Sequence, residues 1–174
     1  ERDFADAPLG TARFAFWCGE GQLVTTRRHP LRAVENFRQE IEQGVESAAG
    51  PADVLVRLQQ GFIALVEKRL QHLSAALAQI EDAVLADRLA SGQARLGPLR
   101  RELSRHAREF SAMRGAIHRA TSARRHVAGS PLAELLPQLL QEVEDVERDA
   151  AGQADRARLL NDEVENRLAA TTNR

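Results

Sequence analysis

Over most of the chain, apolar residues recur at spacings of three and four, with charged residues between them. This periodicity is typical of long amphipathic helices that share an apolar seam. The first helix is predicted over Pro51–Arg88, with a break at Ser91-Gly92, and the second over Leu96 to about Arg124. The third follows a turn at Val127–Pro131, and Pro137 is expected to kink it or to mark its true start. The pattern therefore predicts an antiparallel stalk of three long helices.

The first fifty residues follow a different pattern, in which β-branched and aromatic residues flank a glycine turn. Thr11–Gly19 and Gln22–Arg28 are predicted as the two strands of a hairpin, joined through Gly19-Glu20-Gly21. Helical spacing then predicts a helix over Leu31–Gln43, with Gly44 as its C-cap. A hairpin of two strands is not stable alone. We therefore expect it to pack on a helix or to form the edge of a larger sheet whose remainder is missing.

The predicted fold class is α+β and predominantly helical. Residues 1–50 would be the truncated α/β part, and residues 51–174 the long-helix bundle and stalk. At 1.5 Å per residue the first long helix spans roughly 55 Å, whereas a compact domain of this chain length is about 40 Å across. The helices are therefore expected to protrude as a rod. Such a rod with one apolar seam exposed predicts self-association.

Composition narrows the class of protein. The chain has 24 Lys and Arg against 25 Asp and Glu, a formal net charge of -1, which argues against a nucleic-acid-binding domain. Its single cysteine, Cys18, excludes an internal disulfide framework and favours a reducing compartment. Because no apolar run approaches the roughly 18 to 20 residues of a membrane helix, the chain as given is expected to be soluble. Both ends, Glu1 and Arg174, are expected to have been cut from a longer polypeptide.

Two charged clusters lie on the second and third predicted helices. If these helices are antiparallel neighbours, the clusters are expected to pair across the seam and to fix the register. The alternative is two solvated faces, which contribute on the order of 0.2 to 1 kcal/mol per ion pair. The basic cluster is Arg100, Arg101, Arg105 and Arg108, and the acidic cluster is Glu142, Glu144, Asp145, Glu147 and Asp149.

Two groups of side chains are candidates for metal binding. Glu102, His106 and Glu109 share one face of the second helix, and carboxylate and imidazole groups at this spacing can hold a divalent ion. The second group, Glu81, Asp82 and Asp87, lies near the end of the first long helix. Its hard oxygen ligands suit a partly hydrated Mg²⁺ or Ca²⁺ at a subunit boundary. The alternative for both groups is an exposed, solvated helix face.

Nothing in the sequence indicates an enzyme. There is no Ser/His/Asp arrangement, no H-E-x-x-H, no G-x-G-x-x-G and no P-loop. Cys18 has no His or acid that spacing alone pairs with it, so it is expected to be a buried strand residue and not a nucleophile.

Four ordered segments resemble the CorA family of divalent-cation transporters, and most closely its zinc-transporter branch, ZntB. The segments are QLVTTRRHPLRAVENFRQEIEQG from Gln22, LAQIEDAVLADR from Leu77, LRRELSRHAREFSAMR from Leu99 and NDEVENRLAATTNR from Asn161. In that family an L-x-T-x-R strand leads into a short helix, and an I-E-D acid pair lies on the first long helix. The last segment resembles the stretch that precedes the first membrane span. The resemblance extends over about Thr11 to Arg174.

The resemblance implies a cytoplasmic domain of αβα type at the inner (plasma) membrane, with long helices that descend to the bilayer. Each subunit of a pentameric funnel would add two transmembrane helices, with the Gly-Met-Asn selectivity signature beyond Arg174. Residues Pro137–Arg174 would form the cytoplasmic half of the pore stalk. The residues implied near its axis are Asn161, Glu165, Thr172 and Asn173.

From the acidic rod and this resemblance, we hypothesise that the domain senses or guides cations toward the pore. No cofactor is expected to be required, and Zn²⁺ and Mg²⁺ are the cations implied. The expected partners are further copies of the chain and the membrane, and no nucleic acid. The competing interpretation is a structural coiled-coil adaptor or signalling stalk without transport. That interpretation explains the long helices equally well, but it gives no role to the hairpin and the helix that follows it.

Overall fold

The computed structural model describes residues 14–19, 21–44, 48–122 and 131–172. Over these residues the chain divides into two compact units, with the division between Phe62 and Ile63. In this described part of the chain, four helices and one small sheet confirm the predicted α+β, predominantly helical class. The predicted domain boundary at residue 50 stays a prediction.

A short hairpin opens the first unit. Strands β1 (Phe14–Cys18) and β2 (Leu23–Arg27) pair antiparallel, with Trp17 opposite Val24 and Cys18 opposite Leu23. Glycine is required at position 19 as long as the Trp17 indole keeps its place, because a Cβ there would lie 2.5 Å from Cη2 of that ring. The hairpin prediction is confirmed over the described residues, whereas residues 11–13 and Glu20 of the predicted turn lie outside them. Cys18 is half-buried and not buried as predicted.

The hairpin contacts the start of the first long helix. Helix α1 (Arg32–Glu42) is followed by Gly44, which has φ +69° and donates its N–H to the Ile41 carbonyl at 3.0 Å. This conformation confirms the predicted glycine C-cap. Helix α2 (Pro51–Leu85) begins in the same unit, and its Phe62 ring lies 5.7 Å from the Phe14 ring, centroid to centroid. The hairpin therefore gains the helix support that a two-stranded sheet needs.

Three long helices share the core of the second unit. The rest of α2 is joined there by α3 (Leu89–Ser122) and α4 (Pro131–Thr172). Their inward positions repeat every three or four residues, so one apolar stripe from each helix is buried. Each fully buried side chain stabilises the fold by roughly 1.5 to 3 kcal/mol. The largest fully buried side chains of this core are Leu70, Leu77, Ile80, Leu96, Leu103, Val143 and Val164.

The corner between α2 and α3 differs from the prediction. Helix α2 ends at Leu85 and α3 begins at Leu89, so Ser91-Gly92 lies inside a helix and does not break one. Gly92 is buried, and a Cβ there would lie 3.3 Å from Cγ2 of Val84. The glycine therefore permits a close approach of α3 to the end of α2.

Asp87 makes the turn at this corner. It has φ +59°, its N–H bonds the Val84 carbonyl at 3.1 Å, and the Arg88 N–H bonds the Ala83 carbonyl at 2.9 Å. These two bonds are the pattern of a Schellman C-cap, whose left-handed residue is usually glycine. An aspartate is disfavoured there twice, by its Cβ and by its negative charge at the negative end of the helix dipole.

The predicted role of Pro137 is also wrong in part. Helix α4 begins at Pro131, where the missing N–H of proline is not needed, and continues through Pro137. Pro137 is exposed and lies in the second turn of the helix, close to the free N-terminal donors, and it lacks the N–H that would bond back along the helix. Helix α3 likewise contains Pro98.

The strained corner gives a stability prediction. Asp87→Gly should stabilise the chain by about 1 kcal/mol, because it removes both the left-handed strain and the misplaced charge. Urea unfolding followed by circular dichroism measures the change. Ala86→Gly is the matched control and should destabilise by roughly 0.5 to 1 kcal/mol. Equal destabilisation by both substitutions would contradict this account of the corner.

Candidate functional site

Among the described residues, an Arg–Glu pair connects α2 to α3, another connects α3 to α4, and a third connects α4 to α2. Arg69 of α2 contacts Glu102 of α3, with Nε to Oε1 at 2.7 Å and Nη2 to Oε2 at 2.9 Å. Arg114 of α3 contacts Glu147 of α4, with Nε to Oε2 at 2.6 Å. In each of these pairs, two nitrogens of the guanidinium group each donate a hydrogen bond to a different oxygen of the carboxylate.

The third pair closes a cycle. Arg156 of α4 donates from Nε and Nη2 to the two carboxylate oxygens of Glu81 on α2. Each long helix therefore supplies one arginine and one glutamate to the three pairs. Arg69, Arg114 and Arg156 are all partly exposed, so each pair contributes at most about 1 kcal/mol. Their main effect is to specify which residues lie opposite each other.

The antiparallel register corrects one prediction. The acidic cluster does pair across the seam, but its partners are Arg114, with Glu147, and His118, whose Nε2 lies 3.6 Å from Glu144. These contacts place the predicted basic cluster, residues 100–108, opposite the part of α4 that follows the acidic cluster. The expected pairing between the two clusters is therefore wrong, because the contacts of Glu147 and Glu144 set a register in which the two clusters lie at different levels of the bundle.

Arg69 changes the acidity of its partner. Its hydrogen bonds hold the pKa of the Glu102 carboxyl below its usual value of 4.5, and burial of that carboxyl acts in the opposite direction. The net shift is downward because a carboxylate that accepts charged hydrogen bonds is favoured over the neutral acid. Glu102 therefore stays ionised within this partly buried part of the bundle.

Glu102, His106 and Glu109 lie together on α3, as their spacing predicts. The His106 side chain is only 9% exposed, with Nε2 3.8 Å from Oε1 of Glu102 and Nδ1 3.4 Å from Oε2 of Glu109. The two carboxylates face different nitrogens, on opposite edges of the ring. This arrangement does not converge on one point as the ligands of a metal ion do.

The acidic residues at the end of α2 are divided among separate roles. Glu81 is paired with Arg156, Asp82 is exposed, and Asp87 is exposed and forms the turn after the helix. In the part of the chain that the structure describes, no group of three or more His, Cys, Asp or Glu side chains could hold a metal ion. Metal binding at the two candidate groups stays a prediction.

The predicted stalk residues lie along the last turns of α4. Asn161 donates from Nδ2 to Oε1 of Glu165 at 2.7 Å, and Glu165 is exposed. Thr172 is the last residue of α4, and Asn173 lies outside the described residues. On this part of α4, Arg167 donates from Nη1 to the Val84 carbonyl at 3.3 Å.

The arginine contacts between helices that are described above were not predicted from the sequence. Arg69, Arg114, Arg156 and Arg167 each flank an apolar position of a predicted helix, which was the available signal. This position beside an apolar residue shows that an arginine lies at the edge of the buried stripe of its helix. It does not show which glutamate the arginine contacts, because that depends on the register between the helices.

The family model described as CorA-like Mg2+ transporter protein matches residues 2–174. The chain belongs to the CorA-like Mg2+ transporter family. The proteins of this CorA-like family are transporters, so the resemblance seen in the sequence is confirmed at the level of the family. No curated protein matches the chain. Among the described residues of this CorA-like chain, no helix is long and apolar enough to cross a membrane.

The shifted carboxyl predicts a pH-dependent contribution to stability. Because the pKa of the Glu102 carboxyl is lower in the folded chain, its ionised form adds stability at pH values above the ordinary pKa of glutamate. This stability is lost as the pH falls through the pKa that Glu102 has in the folded chain. Arg69→Met should therefore destabilise the chain by up to about 1 kcal/mol at pH 7 and by less below pH 4. Urea unfolding at each pH measures the difference.

Arg95→Met is the matched control for this prediction. Arg95 is exposed, and it donates to the neutral amide oxygen of Gln79 at 3.2 Å. Its effect should stay constant between pH 7 and pH 4. If the effect of Arg69→Met were equally constant, the assignment of the Glu102 shift to Arg69 would be wrong.

Proposed function

We propose that this chain is the cytoplasmic part of a divalent-cation transporter that moves Mg²⁺ or Zn²⁺ across the inner membrane. The observation that carries the proposal is the family match, which extends over nearly the whole chain and is not confined to one motif. The helical unit would guide or sense cations, and α4 would lead toward a transmembrane pore. Polar and acidic side chains on the last turns of α4 support this role.

Within the family, we propose that the chain belongs to the ZntB branch. The support is the four ordered sequence segments, especially the L-x-T-x-R strand and the I-E-D pair that begins at Ile80. Zn²⁺ is accordingly the first cation to test and Mg²⁺ the second. Both ions are proposed as transported substrates and not as resident cofactors.

We further propose that the complete protein assembles as a pentamer around α4. The residues nearest the axis would be Asn161, Glu165, Thr172 and Asn173, as the family resemblance implies. Leu159 supports a contact between copies, because 64% of this large apolar side chain is exposed. Glu165 is exposed on the same helix, where a ring of carboxylates would concentrate cations.

Transport by the complete protein tests the proposal directly. The full-length protein, reconstituted in liposomes that contain a Zn²⁺ or Mg²⁺ indicator, should admit at least one of the two ions faster than protein-free liposomes. Glu165→Gln should lower the initial rate several-fold, because a ring of five charges would be removed at the axis. Asp162→Asn is the matched control and should leave the rate within twofold.

Two results would contradict this proposal. Uptake no faster than in protein-free liposomes for either cation would remove the transport function. Equal rates for Glu165→Gln and the unsubstituted protein would remove Glu165 from the pore axis while leaving transport in place.

Cation sensing by the helical unit is tested separately, on the 174-residue chain without a membrane part. Calorimetric titration with Mg²⁺ should show binding below millimolar concentration through Asp82 and Asp87, both exposed at the end of α2. The double variant Asp82→Asn, Asp87→Asn should lose most of the heat. Asp155→Asn, another exposed acid, is the control and should retain it. Absence of heat at millimolar Mg²⁺ would remove the sensing role.

A further inference from the structure

The charges of the bundle are divided unevenly between two of its helices. Helix α3 has seven arginines and two glutamates, whereas α4 has ten acidic residues and four arginines. One of the two glutamates of α3, Glu102, is already engaged by Arg69 of α2. Helix α3 is therefore the basic helix of the bundle, and α4 is the acidic one.

The outward face of α3 carries arginines that have no partner in the described part of the chain. Arg101, Arg108 and Arg119 are exposed, and none of them forms an ion pair or a hydrogen bond with a described residue. At 3.6 residues per turn they lie on the side of α3 opposite its buried stripe, which includes Leu103 and Phe110. This face therefore presents positive charge to solvent.

The outward face of α4 carries the opposite charge and one large apolar side chain. The side chain of Asp155 is 72% exposed, Leu159 is exposed one turn later, and Glu144 lies three turns earlier on the same side. Both carboxylates have only long contacts within the chain, 3.6 Å from Asp155 to Arg158 and 3.6 Å from Glu144 to His118. A carboxylate accepts several hydrogen bonds, so each can take a second partner.

The two outward faces lie at the same level of the bundle. Arg114 of α3 contacts Glu147 of α4, and the two helices run antiparallel, so a step back along α3 corresponds to a step forward along α4. This register puts Arg108 within about two residues of the level of Asp155, or about 3 Å along the bundle. The two side chains point outward from neighbouring helices, and no ion pair joins them within the described chain.

This equality of level matters for contacts between copies. When two different faces of identical chains meet, the assembly closes into a ring if successive copies are related by rotation alone, and it forms an open filament if each copy is also displaced along the axis. A second copy beside the first, at the same level, brings Arg108 opposite Asp155 and Arg119 opposite Glu144. The charges are therefore complementary in the arrangement that a closed ring requires.

We propose that copies of this chain meet side by side, with the outward face of α3 in one copy against the outward face of α4 in the next. Arginines of the first face pair with carboxylates of the second, and Leu159 packs over the small residue Ser104, which the same register places opposite it. Exposed ion pairs are weak and screened by salt, so the charges mainly select which faces meet. The inference rests on the proposed assembly of several copies and adds the surface through which they meet.

Cysteine cross-linking between two populations of the 174-residue chain tests this contact. In a Cys18→Ser background, one population has Ser104→Cys and the other Leu159→Cys, each with a different affinity tag, and the mixture is oxidised at low salt. A disulfide-linked mixed dimer should form, and its yield should fall several-fold in about 0.5 M NaCl because salt screens the charges. Leu85→Cys in place of Leu159→Cys is the control. Leu85 is also exposed but lies on another helix, so it should give no mixed dimer above background.

Charge exchange tests whether these particular charges make the contact. Arg108→Glu with Arg119→Glu, added to the Ser104→Cys population, should lower the yield of mixed dimer several-fold, because like charges then face each other. Glu144→Arg with Asp155→Arg, added to the other population, should restore it. All four side chains are at least partly exposed, so the core is not altered.

The matched control changes the net charge by the same amount at other positions. Arg32→Glu with Arg95→Glu replaces two exposed arginines away from the outward face of α3, and it should leave the yield within twofold. If the double exchange disturbs folding, the single exchange of Arg108→Glu against Asp155→Arg keeps the test informative, because both of these side chains are exposed.

Three results would overturn the proposal. They are the absence of mixed dimer at low salt, equal yields with Leu159→Cys and Leu85→Cys, and exchanged charges that do not restore the yield. None of the three bears on cation uptake into liposomes, so the loss of this surface is distinguished from the loss of transport.

Discussion

Each long helix of the second unit can bury its apolar stripe only against the other two, and the rest of that unit depends on this shared burial. Leu77, Leu103 and Val143, one from each helix, are fully inaccessible to solvent. Burial by itself is non-directional and does not select one register. The three Arg–Glu pairs supply that selection, because a one-turn slip would separate each arginine from its glutamate.

The same arrangement holds the end of α2 in place. Arg156 pairs with Glu81, and Arg167 donates to the Val84 carbonyl one turn later, so two arginines of α4 contact the last turns of α2. Positive groups are favoured at this end of a helix because its carbonyls carry partial negative charge. The strained turn at Asp87 follows immediately. The corner and α4 are thereby connected.

The predictable features were those that local sequence decides. The glycine cap at Gly44 and the face shared by Glu102, His106 and Glu109 follow from spacing alone. Gly92 and Pro137 were misread because glycine serves both turns and close packing, and because proline is tolerated near a helix start. The partners of Arg114 and Arg156 depend on register, and the burial of His106 depends on packing that spacing along α3 does not reveal. Both are decided only when the core forms.

The coding sequence beyond Arg174 tests the central claim most directly, because the account makes this chain the cytoplasmic part of a membrane transporter. We predict an apolar stretch of about 20 residues that starts within a few positions, ends in a Gly-Met-Asn signature and is followed by a second span. A stop codon, or a polar domain, at that point would contradict the transport account and would favour a helical adaptor.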